Sequence, residues 1–162
     1  HVDHVGINRL SELGISRGNG PLISFDAGYG VESFDPIVVD LFVPTDRQMA
    51  LRYPGVDLAV ALENDSLKAG NTVVATQGSA GSSGFSPETG LVTASGFKVD
   101  VKGTLGAGDV FHGALVAQII HGYPLQESLR RANAVAALSC LGLDAQSKIP
   151  TTTELDAYLE AH

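Results

Sequence analysis

Between Gly103 and Ala114 the chain reads Gly-Thr-Leu-Gly-Ala-Gly-Asp-Val-Phe-His-Gly-Ala, a turn of small residues running into an apolar helix with a carboxylate at the junction. Gly106, Ala107 and Gly108 leave the main chain uncovered, so the first N–H groups of a helix beginning there, assisted by its dipole, can face an anion. Asp109 would repel that anion. Its presence makes sense if the carboxylate accepts a proton from an alcohol that attacks a phosphorus atom held by those N–H groups. The same aspartate could simply cap a helix, a task Asp performs well. The residue types thus pose a choice between phosphoryl-transfer chemistry and a plain helix start.

The elements needed to position this turn follow from the patterning. Pro21 to Asp26 is an apolar run ending in the turn Ala27-Gly28-Tyr29-Gly30, Ile37 to Val43 reads as the next strand, and Thr72 to Thr76 is β-branched. Thr45 to Arg52 and Asp57 to Lys68 carry helical spacing, and Ala69-Gly70-Asn71 stops the second of these. Gly78 to Gly84 reads as a glycine and serine turn, followed by weaker hairpin-like pieces around Phe85, Leu91 to Thr93 and Phe97 to Val99. Apolar helices are expected over 108–121 and 125–141, and Thr151-x-x-Glu154 has the form of a capping box opening a last helix. Strands alternating with helices predict a largely parallel sheet with helices on both faces, in which ligands bind at the carboxyl ends of the strands.

Composition fits one compact domain over residues 1–162, being 44% hydrophobic and 17% charged. A net charge of −8 argues against a nucleic-acid surface, which would cluster Lys and Arg to neutralise phosphates. Cys140 stands alone in an apolar run, as a buried thiol would, and no internal disulfide is available to it. No apolar run has membrane-spanning length and no leader segment opens the chain, so a cytoplasmic setting is the expectation, with no membrane partner. Gly-x-Gly-x-x-Gly and a Walker-type Gly-Lys-Ser/Thr ending are both missing, which disfavours dehydrogenases and P-loop kinases.

The extended pattern Thr-x-Gly-Ala-Gly-Asp-x-Phe-x-Gly-Ala resembles the signature of the PfkB, or ribokinase-like, carbohydrate kinases. The resemblance implies a ribokinase-like, Rossmann-like three-layer α/β sandwich and ATP-dependent phosphorylation of a sugar hydroxyl. In that family the aspartate is the catalytic base and the Gly-Ala-Gly amides form an anion hole, roles carried here to Asp109 and to Gly106, Ala107 and Gly108. Asn71 to Gly81 looks like the family's strand and Thr-x-Gly-x-x-Gly turn, which implies nucleotide contacts for Thr76, Gly78 and Gly81. Arg131 to Ala137 is similar to the late Asn-Ala helix beside the adenine, which makes Asn133 a nucleotide contact, although a buried side-chain hydrogen bond would equally explain an Asn inside a helix. Ile149-Pro150-Thr151 matches the family's closing segment.

Departures from the pattern shape the remaining expectations. Gly103 stands where the family usually has Asp, in a region that helps bind a monovalent cation, which counts against K+ activation. Many members carry Asn-x-x-Glu after the second strand to arrange Mg2+ through water; Pro44-Thr45-Asp46-Arg47-Gln48 occupies that place, so the magnesium ligands are left unassigned. The Thr-Leu-Gly-Ala-Gly-Asp wording at 104–109, with the lack of Asn-x-x-Glu, looks more like the ketohexokinase and sulfofructose kinase side of the family than ribokinase itself. The resemblance covers only the C-terminal half of a PfkB domain, without the family's sugar-binding element and lid, and His1 is not an initiator methionine, so a fragment is expected. A non-catalytic nucleotide- or sugar-binding remnant is the alternative to a kinase, and a homo-oligomer is compatible with either. Asp26 could approach the phosphate and metal region or merely start a turn. His1 and His4 lack a third ligand for a metal, and His112 falls at a position the signature leaves free.

Overall fold

The computed structural model describes residues 6, 9–10, 12–26, 34–144 and 146–162; His1, His4 and the Ala27 to Gly30 turn lie outside them. The chain folds as two units, one comprising His1–Gln77 with Ser83–Val92 and the other Gly78–Ser82 with Thr93–His162.

In the first unit β1 (Ser24–Phe25), β2 (Leu41–Phe42) and β3 (Thr72–Thr76) pair in parallel, with Phe25 opposite Phe42 and Phe42 opposite Val73. Their neighbours in sheet order are β4 (Gly81–Ser86) and then β5 (Gly90–Ser95), whose residues are divided between the two units. The links 77–80 and 87–89 are too short for a parallel crossover, so these strands reverse as hairpins. The sheet is therefore parallel from β1 to β3 and antiparallel from β3 to β5.

Four readings of the strands need correction: within 21–26 only Ser24–Phe25 is extended, and Phe97 to Val99 forms no strand. Residues 37–43 are not one strand, because Pro36–Val38 form a 3-10 turn and only Leu41–Phe42 is extended. Asp35 accepts the Ile37 N–H at 3.2 Å and Pro36 occupies the first helical position, where its fixed φ suits the turn, so Ile37 and Val38 face solvent despite being apolar. Likewise Gly81 to Gly84 is strand rather than turn: its small residues are buried, and pairing with neighbours outweighs their low β-propensity.

Helix α1 (Asp46–Arg52) opens with a capping box between Thr45 and Gln48, and α2 (Leu58–Ala69) is capped by Asp57 and stopped by Gly70 at φ +65°. Helix α2 turns Ala61, Leu62, Asp65, Ser66 and Ala69 inward, a single stripe at helical spacing. Leu62 joins Ile23, Phe25, Val39, Phe42, Met49 and Val73 in the core, where the rings of Phe25, Phe34 and Phe42 lie against one another. Asp65 is fully buried in this apolar setting. Its carboxylate takes two hydrogen bonds from Arg52 at 2.6 and 3.0 Å and one from the Tyr53 hydroxyl at 2.6 Å, while Arg52 also donates to the Phe34 carbonyl at 2.7 Å.

In the second unit α3 (Ala107–Ile120) and α4 (Leu125–Ser139) are joined by the short link 121–124 and pack on each other, and α5 (Thr152–Ala161) packs on α4. Ala134, Val135, Leu155 and Leu159 form the core there, with Phe97, Val110 and Ala114 against it. The expected capping box is present: Thr151 accepts the Glu154 N–H and Glu154 accepts the Thr151 N–H. Arg131 ties the helices by donating to Gln118 at 2.8 Å and to Asp156 at 2.5 Å. Among the described residues no helix is long and apolar enough to cross a membrane.

Candidate active site

Helix α3 begins at Gly106, the cap residue, whose φ of +75° is a conformation that side-chain-bearing residues rarely adopt. No side chain caps this end. Ala107 donates its N–H to the Thr104 carbonyl at 3.2 Å, closing the turn, and Val110 donates to Gly106 at 2.9 Å. Among the described residues, the N–H groups of Gly106, Gly108 and Asp109 meet no acceptor, as expected for a helix start that a ligand or water completes. A Cβ built on Gly108 would meet nothing within 4 Å, so its side-chain direction is open space.

Asp109 is the third residue of the helix, not its cap, and it is exposed. Among the described residues its carboxylate has no hydrogen-bond or ion-pair partner, although it stands one residue beyond the open amide of Gly108. Val110, Phe111 and Leu115 anchor the following turns, which fixes the direction from which Asp109 projects. His112, also in the signature, is buried. Gly103 has a packing reason for lacking a side chain, since a Cβ there would lie 3.0 Å from the Gly142 carbonyl oxygen and 3.2 Å from that of Leu143. Its aspartate-free sequence therefore matches a chain that runs close against the segment following α4.

The second glycine-rich stretch has two different ends. Gly78, at φ +57°, faces open space, whereas Gly81, at φ +110°, is pressed against the end of β5: a Cβ there would lie 2.2 Å from the Ala94 carbonyl oxygen. Gly96, which sequence reasoning did not single out, is confined in the same way, with a Cβ position 2.4 Å from the Ser79 carbonyl oxygen. Asn133 is buried on α4 and donates to the carbonyls of Ala94 at 2.9 Å and Ser95 at 3.3 Å. The buried hydrogen bond weighed for this residue is thus formed. No signal in the sequence marks Gly96, because its backbone is ordinary and only the neighbouring strand makes it tight.

Thr76 belongs to the first unit. There the parallel strands end together at Asp26, Pro44 to Thr45, and Thr76, with Thr45 and Thr76 directly paired. Thr45 and Gln48, from the segment that replaces Asn-x-x-Glu, are engaged with each other in the capping box of α1.

The sequence profile of the pfkB family carbohydrate kinases matches residues 38–152, which contain both glycine-rich turns and Asp109. The chain belongs to the pfkB family. A ribokinase of Schizosaccharomyces pombe is 33% identical over 124 residues, covering 70% of this chain and 38% of its own. Among solved structures, an E. coli protein proposed to be a ribokinase II, in complex with ATP and Mg2+, superposes with a TM-score of 0.81 at 21% identity, covering 99% of this chain and 54% of its own. A nucleoside kinase of Burkholderia thailandensis in complex with inosine gives 0.75 at 22% identity, covering 96% of this chain and 50% of its own. The fold is accordingly the ribokinase-like α/β fold with a largely parallel sheet and flanking helices. The chain spans about half the length, or less, of these pfkB and kinase relatives.

Proposed function

We propose that this pfkB chain is the nucleotide-binding and catalytic portion of a kinase that transfers a phosphoryl group from ATP to a hydroxyl of a sugar or sugar-containing small molecule. The observation that carries the reading is Asp109, an unpartnered carboxylate beside open main-chain N–H groups at the start of α3. ATP with Mg2+ would supply the phosphoryl group with its charge partly neutralised. Asp109 takes the proton from the acceptor hydroxyl as its oxygen attacks the γ-phosphorus of ATP, whose bond to the bridging oxygen breaks so that ADP leaves. The N–H groups of Gly106, Gly108 and Asp109 donate to the equatorial oxygens where charge gathers, and Ala107 holds the turn closed through Thr104. Gly78 and Gly81, with Thr76 leading into them, line the nucleotide side, and Asn133 stands behind that turn. Mg2+ would enter on the nucleotide phosphates, bridging them and neutralising part of their charge. The net charge of −8 suits a small-molecule acceptor better than a nucleic acid.

Phosphorylated product formed from a panel of sugars and nucleosides by the full-length protein, with coupled ADP release, tests the reading. Gly108→Val sharpens it. A Cβ at Gly108 would meet nothing within 4 Å, so melting should be nearly unchanged, but the valine side chain would crowd the approach to the amides and turnover should fall by about tenfold or more. Parallel loss of melting temperature and activity would make Gly108 structural. Residues 1–162 expressed alone should phosphorylate no sugar, because positioning of the acceptor, which is a large share of phosphoryl-transfer catalysis, would fall to the part of its relatives that this chain does not span. They should also self-associate in sizing chromatography, since apolar side chains such as Leu51, Val60 and Leu67 are exposed. A monomer with ordinary kinase rates would overturn both expectations.

A further inference from the structure

We infer that Asn133 is a positioning residue, which seats the Gly78 to Gly81 turn on the end of β5 instead of touching the nucleotide. The inference rests on the kinase reading for what the turn binds, but its structural basis stands apart from that reading. Segments 79–81 and 94–96 meet main chain to main chain: the Cβ positions of Gly81 and Gly96 fall 2.2 Å from the Ala94 oxygen and 2.4 Å from the Ser79 oxygen, distances no real Cβ tolerates. Gly96 also donates its N–H to the Ala80 carbonyl at 3.1 Å. On this contact the turn is locked at Gly81 and open at Gly78. Whatever holds residues 94–96 therefore sets where the turn's open face stands.

Asn133 does the holding. Its amide nitrogen reaches the carbonyls of Ala94 and Ser95, so the oxygen pressed against Gly81 is the one that Asn133 grips. The amide nitrogen is turned to main chain at both contacts, and the residue is 7% exposed, so its donor faces β5 and not an adenine edge. Apolar neighbours Ala132 and Ala134, both fully buried, fix the helix that carries it. An Asp at 133 would keep the shape and set a carboxylate against two carbonyl oxygens.

The test uses the full-length protein with Asn133→Asp, Asn133→Ala and Gly96→Ala, the last of which forces the same contact apart from its other side. Amide hydrogen exchange is read at Gly96 without nucleotide, and KM, kcat and dissociation constants are read for ATP and GTP. Positioning predicts that Gly96 exchange rises by about tenfold or more, because the bonds that hold residues 94–96 against the turn are lost. KM should rise for ATP and GTP alike, with kcat changing less, and Gly96→Ala should do the same. A changed ATP-to-GTP preference with Gly96 exchange unaltered would make Asn133 a base contact and overturn the inference. Lower melting with unaltered KM and dissociation constants would reduce Asn133 to a packing residue, also overturning it. Should Asn133→Asp fail to fold, Asn133→Ala and Gly96→Ala decide by the same readings. If the unsubstituted protein turns over no acceptor, the kinase reading fails, while Gly96 exchange and nucleotide dissociation constants still decide the role of Asn133.

Discussion

Asp109→Asn in the full-length protein should lower turnover by about a hundredfold or more while leaving nucleotide affinity equal or slightly tighter. General-base catalysis contributes on the order of a hundredfold to ten-thousandfold, and an amide cannot accept the acceptor's proton. The substitution is unusually clean here. Asp109 is exposed and, among the described residues, makes no side-chain hydrogen bond or ion pair, so its replacement by an amide of the same shape removes no contact from the fold. The only structural debit is the favourable placement of a negative charge in the first turn of α3, worth about 0.3–1 kcal/mol. The same charge repels phosphate, so its loss should not weaken binding. Steady-state kinetics beside titration calorimetry would check it, and near-normal turnover would remove Asp109 from the mechanism and favour a non-catalytic role for the α3 start.

The second large effect concerns stability. Asp65→Ala should destabilise the protein by about 3–5 kcal/mol, the usual cost of breaking a buried ion pair and stranding its partner. With Asp65 gone, the largely buried Arg52 guanidinium would lose its carboxylate, and the Phe34 carbonyl and the faces of the Phe42 and Tyr53 rings carry no negative charge to replace it. The Tyr53 hydroxyl would lose its acceptor as well. Burial works most strongly against the Arg52 charge, but the hydrogen bond and charge of Asp65 outweigh it and hold the guanidinium's pKa above its ordinary value. Burial first, and then the bond to Asp65, push the Tyr53 pKa up. Because that folded value lies above the unfolded one of about 10, the hydroxyl's share of stability is complete below that pH and is lost as pH rises through the folded value. Chemical denaturation of the wild type and Asp65→Ala at neutral pH measures the main effect. Repeating it above pH 10 with Tyr53→Phe, which has no phenol to ionise, should remove part of the alkaline loss.

These two residues divide what was legible in the chain from what was not. The place of Asp109 in the first turn of a helix could be read from its neighbours, because a turn that needs Gly106 and the apolar run after it are local properties written within a few residues. The capping box of Thr151 and Glu154 and the stop at Gly70 were legible for the same reason, each resting on bonds between residues three or four apart. The apolar run 37–43 misled because strand propensity says nothing of whether a neighbouring strand continues alongside; Asp35 and Pro36 turned its first residues into a 3-10 turn. Arg52, Tyr53 and Asp65 look like ordinary surface residues of two helices, and only the packing of α1 beside α2 buries their charges together. Gly96 and Asn133 are nearly 40 residues apart in sequence, and the tightness of the one and the bonds of the other come from strand and helix meeting in space. Local chemistry sets the candidate catalytic turn, and long-range contact alone decides which buried polar groups are satisfied and where a side chain has no room.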